Sequence, residues 1–398
     1  MKINIERLKN KLLEIGLIGK VENKGISRLA FTEEYDEARI VLRNYMENIG
    51  LKTEIDGVGN LIGTFEGMNP KLSSIVIGSH LDTVPNGGLF DGALGIFSGL
   101  EVIETMKDNN IKPEHNIKVI AFNAEEGSAM GGTFGSRAMM GMIDLDEEEI
   151  SKNLETCGLT IKDVQNSIKN IDEFKNYLEL HVSQESTLEG ENIPVGIPEG
   201  ISSIIRYKIR CSGESNHAGT TLMKNRKDAL LESSRLMVKI RDIAEEIGET
   251  LVATVGSLVV FPGAVNVIPG KVEMILELRD IKINNIKKAV SKVIDASKSI
   301  TNVEFEFEKI IEKPTSMMDV SILSIIREKC ENNNIGYKMM ISGAGHDAKS
   351  FADKIPTGMI FVPSIDGKSH CPEESTKWVD IEKGVTVLID TVIELDKN

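Results

Sequence analysis

The sequence predicts an α/β protein: a mostly parallel mixed sheet with helices on both faces, interrupted by a smaller inserted α+β domain. Three observations carry this. Short apolar runs alternate with helical stretches through most of the chain. Four of those runs end just before a histidine or carboxylate, which is where open α/β sheets bind their ligands. Residues 206–314 then change rhythm before the first pattern returns.

From the N-terminus, residues 1–70 read as helix, linker, helix and strand pieces. Glu33–Gly50 carries Ala38, Val41, Leu42, Tyr45, Met46 and Ile49 at helical spacing. Ser74–Gly78 is an apolar strand before His80. Ala93–Met106 is an amphipathic helix with Leu94, Phe97, Leu100 and Val102 or Ile103 on one face. Lys118–Asn123 precedes Glu125, Tyr177–Leu180 precedes His181, and Gly358–Pro363 precedes His370. In the insert, Arg206–Cys211 reads as strand and Arg226–Ile247 as helix. Leu251–Val260 and Lys271–Arg279 are strands around the turn at Pro269–Gly270, followed by a helix over Asn284–Ile300 and a strand over Val303–Ile310. That β-α-β-β-α-β order is the ferredoxin-like unit. Residues 1–205 and 315–398 are thus expected to form one domain and 206–314 another, because the run before His370 must rejoin the first sheet.

Composition narrows the function. With 398 residues, 41% hydrophobic and 27% charged, the chain is that of a globular protein of two or three domains. The net charge of −15 argues against nucleic acid or an anionic membrane as partner. No apolar run suits a membrane span and the N-terminus lacks a signal core, so the expected location is cytoplasmic. The four cysteines (Cys157, Cys211, Cys330, Cys371) are widely spaced and read as reduced thiols.

The candidate chemistry lies at the strand ends. His80 and Asp82 are two apart, so both face one site while Leu81 enters the core. Asp91, before Gly92 and a helix, is a carboxylate at a helix N-terminus; taken alone it also reads as an N-cap. Glu125 and Glu126 alone read as a solvated pair. Beside a cation, one would bind it and the other would take a proton from bound water. His80, Asp91, Glu126, His181 and His370 make a nitrogen–oxygen set suited to Zn²⁺, Mn²⁺ or Co²⁺. Five ligands exceed the need of one open catalytic zinc, which favours two ions bridged by Asp91. Asp82 would fix the tautomer of His80 through its other ring nitrogen.

Several motifs coincide: GISRLAF at 25–31, GVGNLIG at 57–63, GSHLDTVPNGG at 78–88, DGALG at 91–95, EEGS at 125–128, GSRA at 135–138, ELH at 179–181, NHAGTT at 216–221, NVIPG at 266–270, SGAGHDA at 342–348 and SHCPEE at 369–374. With them the chain resembles, along nearly its whole length, the dinuclear metal-dependent amidohydrolases of the aminoacylase/carboxypeptidase superfamily. Within these it is similar to the hydantoinase/carbamoylase branch: N-carbamoyl-L-amino-acid hydrolases, β-ureidopropionases and allantoate amidohydrolases. The resemblance implies two divalent ions (Zn, Mn or Co) on the five residues above and Glu125 as general acid/base. It implies His217 as an oxyanion donor in the partner subunit's site, Asn266 and Arg279 as holders of the substrate carboxylate, and Gln184 as a substrate contact. Backbone amides around Gly343, Ala344 and Gly345 would meet the same carboxylate. The insert would be lid and dimerisation domain of a homodimer. The implied reaction is hydrolysis of a non-peptide C–N bond in a ureido or amide substrate bearing a carboxylate, an N-carbamoyl-L-amino acid or, alternatively, allantoate.

The chain departs from the usual pattern at Ser183 and Glu185 (HVSQE for HIEQG), at Leu222 for proline, and at Glu277 for aspartate. The change beside His181 motivates a further alternative, a catalytically weak binding protein on the same fold. His346 reads as a structural hydrogen-bonder and His115 as a surface residue. Glu373 and Glu374 read as a solvated pair without a role. Arg279 also admits an internal salt-bridge role beside Asp280.

Overall fold

The computed structural model of the chain describes residues 1–147 and 149–397. It divides into two compact units, Met1–Glu199 with Met317–Asn398, and Gly200–Ser316. The expected insert, 206–314, lies inside the second.

In the first unit, four strands run parallel in the spatial order Thr357–Val362, Phe174–Val182, Ser74–His80, Ile117–Phe122. Their near-continuous burial is what a sheet covered on both faces requires. Antiparallel strands flank them: Leu61–Phe65 and then Lys52–Ile55 on one side, Val195–Ile201 on the other. The sheet is therefore mixed, parallel at its centre. On one face, Gly99 of the helix Ala93–Asp108 lies against Ile77 and Val119. On the other, Phe351 of the helix Ala348–Ala352 stacks on Tyr177 with ring centroids 4.2 Å apart.

The helix Ala93–Asp108 is not amphipathic as expected. It is buried nearly all round, because the helices Ile5–Ile15 and Trp378–Lys397 cover the side that faces away from the sheet. Its one inward acid, Glu101, is met by Nε and Nη2 of Arg7, each at 2.8 Å. Among the described residues, no helix is long and apolar enough to cross a membrane.

The second unit is a four-stranded antiparallel sheet in the order Val252–Phe261, Lys271–Asp280, Ser203–Ser212, Glu304–Lys313. The helices Ala229–Ile247 and Ile283–Lys298 pack on one face, over Ile205, Ile209, Met274, Leu276 and Leu278. The first of these helices begins at Ala229, later than expected, because the Asp228 side chain accepts from Leu230 N and Leu231 N and fixes the start there. Strict alternation along Lys271–Asp280 buries every second side chain and leaves Glu273, Glu277 and Arg279 on the opposite, partly open face.

Candidate metal centre

The strand ends bring the expected residues together. His80 closes the strand Ser74–His80, His181 is the penultimate residue of Phe174–Val182, and Asp91 stands just before the helix Ala93–Asp108. Glu125 and Glu126 come after the strand Ile117–Phe122, and His370 lies on the loop after Thr357–Val362. Three of the positioning residues adopt left-handed backbone without being glycine: Ala124 (φ 59°), Gln184 (φ 57°) and His370 (φ 58°). Such backbone is uncommon outside glycine and clusters at functional sites. Gly92, at φ 67°, has no alternative: a Cβ there would lie 2.4 Å from the His80 ring.

Asp91 is the hub. Its Oδ1 lies 3.1 Å from His181 Nε2 and 3.4 Å from His80 Nε2, while its Oδ2 lies 3.2 Å from His370 Nε2. His370 Nε2 is also 3.3 Å from Glu126 Oε1. Two sets of donor atoms, His80–Asp91–His181 and Asp91–Glu126–His370, are each compact enough to hold an ion and share only Asp91. A third set, His80–Glu125–Glu126, joins them, with Glu125 Oε2 4.0 Å from His80 Nε2. Gln184 Nε2 donates to Asp91 Oδ2 at 3.0 Å.

The donor chemistry fits cations. His80 Nδ1 faces the Asp82 carbonyl at 2.9 Å and His181 Nδ1 the Val182 carbonyl at 3.0 Å. A carbonyl only accepts, so each Nδ1 carries a proton and each Nε2 faces Asp91, where a bound cation would take the place of a second proton. Asp91 Oδ1 and Glu126 Oε1 are buried without a hydrogen-bond partner. Imidazole nitrogens converging on buried carboxylate oxygens call for positive charge between them, as protons or as a cation.

Charge and burial set the carboxyl groups apart. Burial pushes Glu125 well above the ordinary carboxylate range; the His80 charge opposes this, and the Asp347 and Glu126 carboxylates add to it. Burial and the Asp91 charge raise Glu126 to about 7. Burial disfavours the Asp91 anion too, but its contacts with His181, His370 and His80 hold it well below the usual value. Burial and the neighbouring His181 keep His346 neutral.

Outer contacts differ in part from the sequence reading. It is the Asp82 main-chain oxygen that meets His80 Nδ1; the carboxylate, 3.8 Å away, instead accepts from Glu125 N (3.2 Å) and Glu126 N (3.0 Å). Glu374 is not solvated. Its side chain is buried, Oε1 accepting from Phe90 N (2.8 Å) and Asp91 N (3.1 Å) and Oε2 from Ser369 Oγ (2.8 Å). Ser369 Oγ also lies 3.0 Å from Asp91 Oδ2. His115 is not on the surface either: Nδ1 meets the Ser73 carbonyl at 2.7 Å and Nε2 meets Lys175 Nζ at 2.8 Å. His346 packs edge-on against His181, centroids 4.6 Å apart, and Ser342 Oγ lies 2.9 Å from its Nε2. That contact ties the Gly343–Ala344–Gly345 loop to the centre.

A sequence profile of the peptidase family M20/M25/M40 matches residues 76–394. The chain belongs to this family. It is 36% identical to the N-carbamoyl-L-amino-acid amidohydrolase of Pseudomonas sp. (strain NS671), covering 98% of both chains. It is 31% identical to the allantoate amidohydrolase of Escherichia coli (strain K12), over 92% of this chain and 91% of that one. Among solved structures, an amidase of the hydantoinase/carbamoylase family from Burkholderia multivorans superposes with a TM-score of 0.90 at 30% identity, covering 100% of this chain and 99% of that one. Within the M20 family, the chain is thus similar to the amidohydrolase branch that acts on non-peptide C–N bonds.

The remaining M20-like motifs lie in the second unit. His217 is exposed, and its Nδ1 accepts from Gly219 N at 3.0 Å, which leaves the proton on Nε2. Ala218 N donates to Asn266 O at 3.0 Å, so His217 and Asn266 sit on neighbouring loops. Arg279 does not share that place. It lies near the far end of Lys271–Asp280, about 26 Å from the strand's start at ~3.3 Å per residue. Asn266 and Arg279 of one chain thus stand towards opposite ends of this strand. Arg279 does pair internally, but with Glu277 (2.7 Å) rather than Asp280, whose side chain points to the helix-covered face. Glu277 also takes Arg206 from the adjacent strand at 2.5 Å.

Proposed function

We propose that this chain hydrolyses a C–N bond of a ureido group in a small substrate bearing a carboxylate, with an N-carbamoyl-L-amino acid as the first choice and two divalent cations (Zn²⁺, Mn²⁺ or Co²⁺) per subunit. The observation that carries this is the division of Asp91, with one oxygen facing His80 and His181 and the other facing His370. His80, His181 and Asp91 would hold one cation, and Asp91, Glu126 and His370 the other. Bound there, the cations supply Lewis acidity, which acidifies water and polarises a carbonyl.

The chain's own groups do the rest. Glu125, its basicity raised by burial, takes a proton from the attacking water on a carboxylate oxygen and returns one to the leaving nitrogen. Asp82 fixes the Glu125–Glu126 backbone for this. His217 offers Nε2–H to the developing oxyanion. Arg279, Asn266 and the Gly343–Gly345 amides orient the carboxylate. Because His217 and Asn266 lie far from Arg279 along one sheet, the complete set is best supplied by two subunits, which supports a homodimer through the second unit. Allantoate, also a ureido compound with a carboxylate, is the second reading, favoured by the Escherichia coli relative. Against the weak-binding reading stands the closeness of the donor atoms of Glu125 and the five candidate ligands.

The test is a panel of N-carbamoyl amino acids, allantoate and N-acyl amino acids, assayed after chelation with each metal restored. Turnover confined to ureido substrates is expected; turnover confined to N-acyl substrates would overturn the proposal. In Glu125→Gln, metal should bind as before while kcat falls by about 10²–10⁴; retained kcat would remove Glu125 from the mechanism.

A further inference from the structure

We infer that Arg28 is a positioning residue of the metal centre, clamping the strand end that carries His80 and Asp82 through the intervening Leu81 carbonyl; this rests on the metal-binding reading above. Arg28 is 1% exposed, among the largest fully buried side chains of the molecule. Arginine is almost never so buried unless its charge is answered. Here main-chain oxygens answer it. Nε donates to Leu81 O at 2.8 Å, and Nη1 to Ile15 O at 3.1 Å and Ile18 O at 3.3 Å.

Both ends of this fork have meaning. Ile15 ends the helix Ile5–Ile15 and Ile18 lies in the turn just beyond it, where carbonyls without an i+4 partner and the helix dipole favour a cation. Leu81 separates the two residues that set the centre: His80, aimed at Asp91, and Asp82, which holds the Glu125 and Glu126 amides. The Arg28 main chain grips Thr83 as well. Arg28 N donates to Thr83 Oγ1 at 2.8 Å, and Thr83 N donates to Arg28 O at 3.0 Å. Residues 81–83 are thus held from side chain and backbone at once. Lysine would keep the charge but, as a single point, could not hold Leu81 and the helix end in one fixed geometry.

The experiment measures zinc affinity by chelator competition in wild type, Arg28→Lys, Arg28→Met and Arg7→Met, with circular dichroism to check folding. Arg7→Met is the control. It breaks the Arg7–Glu101 pair of the same first helix and so lowers stability without touching the strand end. Outer-contact losses of this kind typically weaken metal binding 10–100-fold. That loss is expected in folded Arg28→Lys and in any folded Arg28→Met, with Arg7→Met within twofold of wild type. Arg28→Lys binding zinc as wild type does would overturn the inference. So would failure of Arg28→Lys to fold, or an equal loss in Arg7→Met, since either assigns the arginine to the scaffold alone. Wild-type chain that binds no zinc, manganese or cobalt would instead defeat the metal-centre reading itself.

Discussion

Glu374 gives the sharpest test of how the bridging position of Asp91 is held. In Glu374→Ala the Phe90 and Asp91 amides lose their acceptor inside the protein. A buried donor left unsatisfied costs about 1–3 kcal/mol, so two cost roughly 2–6 kcal/mol. Glu374→Gln retains an acceptor oxygen. It exchanges charge-assisted bonds for neutral ones at about 1 kcal/mol each, roughly 2 kcal/mol in all. The order wild type, Gln, Ala should therefore appear in urea midpoints. It should appear again in zinc affinity, where the loss in Glu374→Ala is expected to be about 10–100-fold. Gly88→Ala should act in the same direction by another route, since its Cβ would fall 2.2 Å from Glu374 Oε1. Chelator competition on the three variants, alongside denaturation monitored by circular dichroism, reads both quantities. A Glu374→Ala protein with wild-type midpoint and wild-type zinc affinity would refute the reasoning.

Other consequences can be checked independently. Gly92→Ala places a methyl against the His80 ring and its carbonyl in left-handed backbone, so zinc stoichiometry by mass spectrometry should fall while the second unit's fold persists. Burial raises Asp56 from 3.8 to about 6, so the folded chain holds this proton more tightly than the unfolded one. The Asp56 contribution to stability is then greatest below about pH 4 and is lost as pH rises to about 6, by up to about 3 kcal/mol. Urea midpoints of Asp56→Asn across that range should fall less steeply than those of wild type, and parallel curves would exclude the effect. Burial lifts the Cys211 thiol to about 11 and the Cys330 thiol to about 12. Thiol-reactive probes at pH 8 should therefore label only Cys157 and Cys371 of the folded chain, as peptide mass mapping would show.

The legible and the hidden parts of the sequence divide along a physical line. Local patterns reveal the strands, since burial on both faces writes an uninterrupted apolar run, and each run points at the chemistry just beyond it. The β-α-β-β-α-β unit is legible through a different local pattern: burial on one face makes the alternation along Lys271–Asp280 strict. Glu374 is hidden because its meaning depends on Phe90 and Asp91, which only closure of the whole domain brings near. His115 is hidden likewise by Lys175 and Ser73. The helix Ala93–Asp108 misleads because two other helices cover its outer side. The separation of Asn266 from Arg279 is hidden in another way: it depends on the strand Lys271–Asp280 being extended between them.

The left-handed residues Ala124, Gln184 and His370 restrict how this sequence can drift. Valine, isoleucine or threonine at position 124 would carry a branched Cβ into backbone that such residues rarely enter, whatever room the side chain found. Glycine meets no such backbone penalty there, whereas asparagine would bury an amide among Val58, Phe134 and Ala138. The surroundings of the centre can therefore evolve through neighbouring side chains, while the winding of these three turns stays all but frozen.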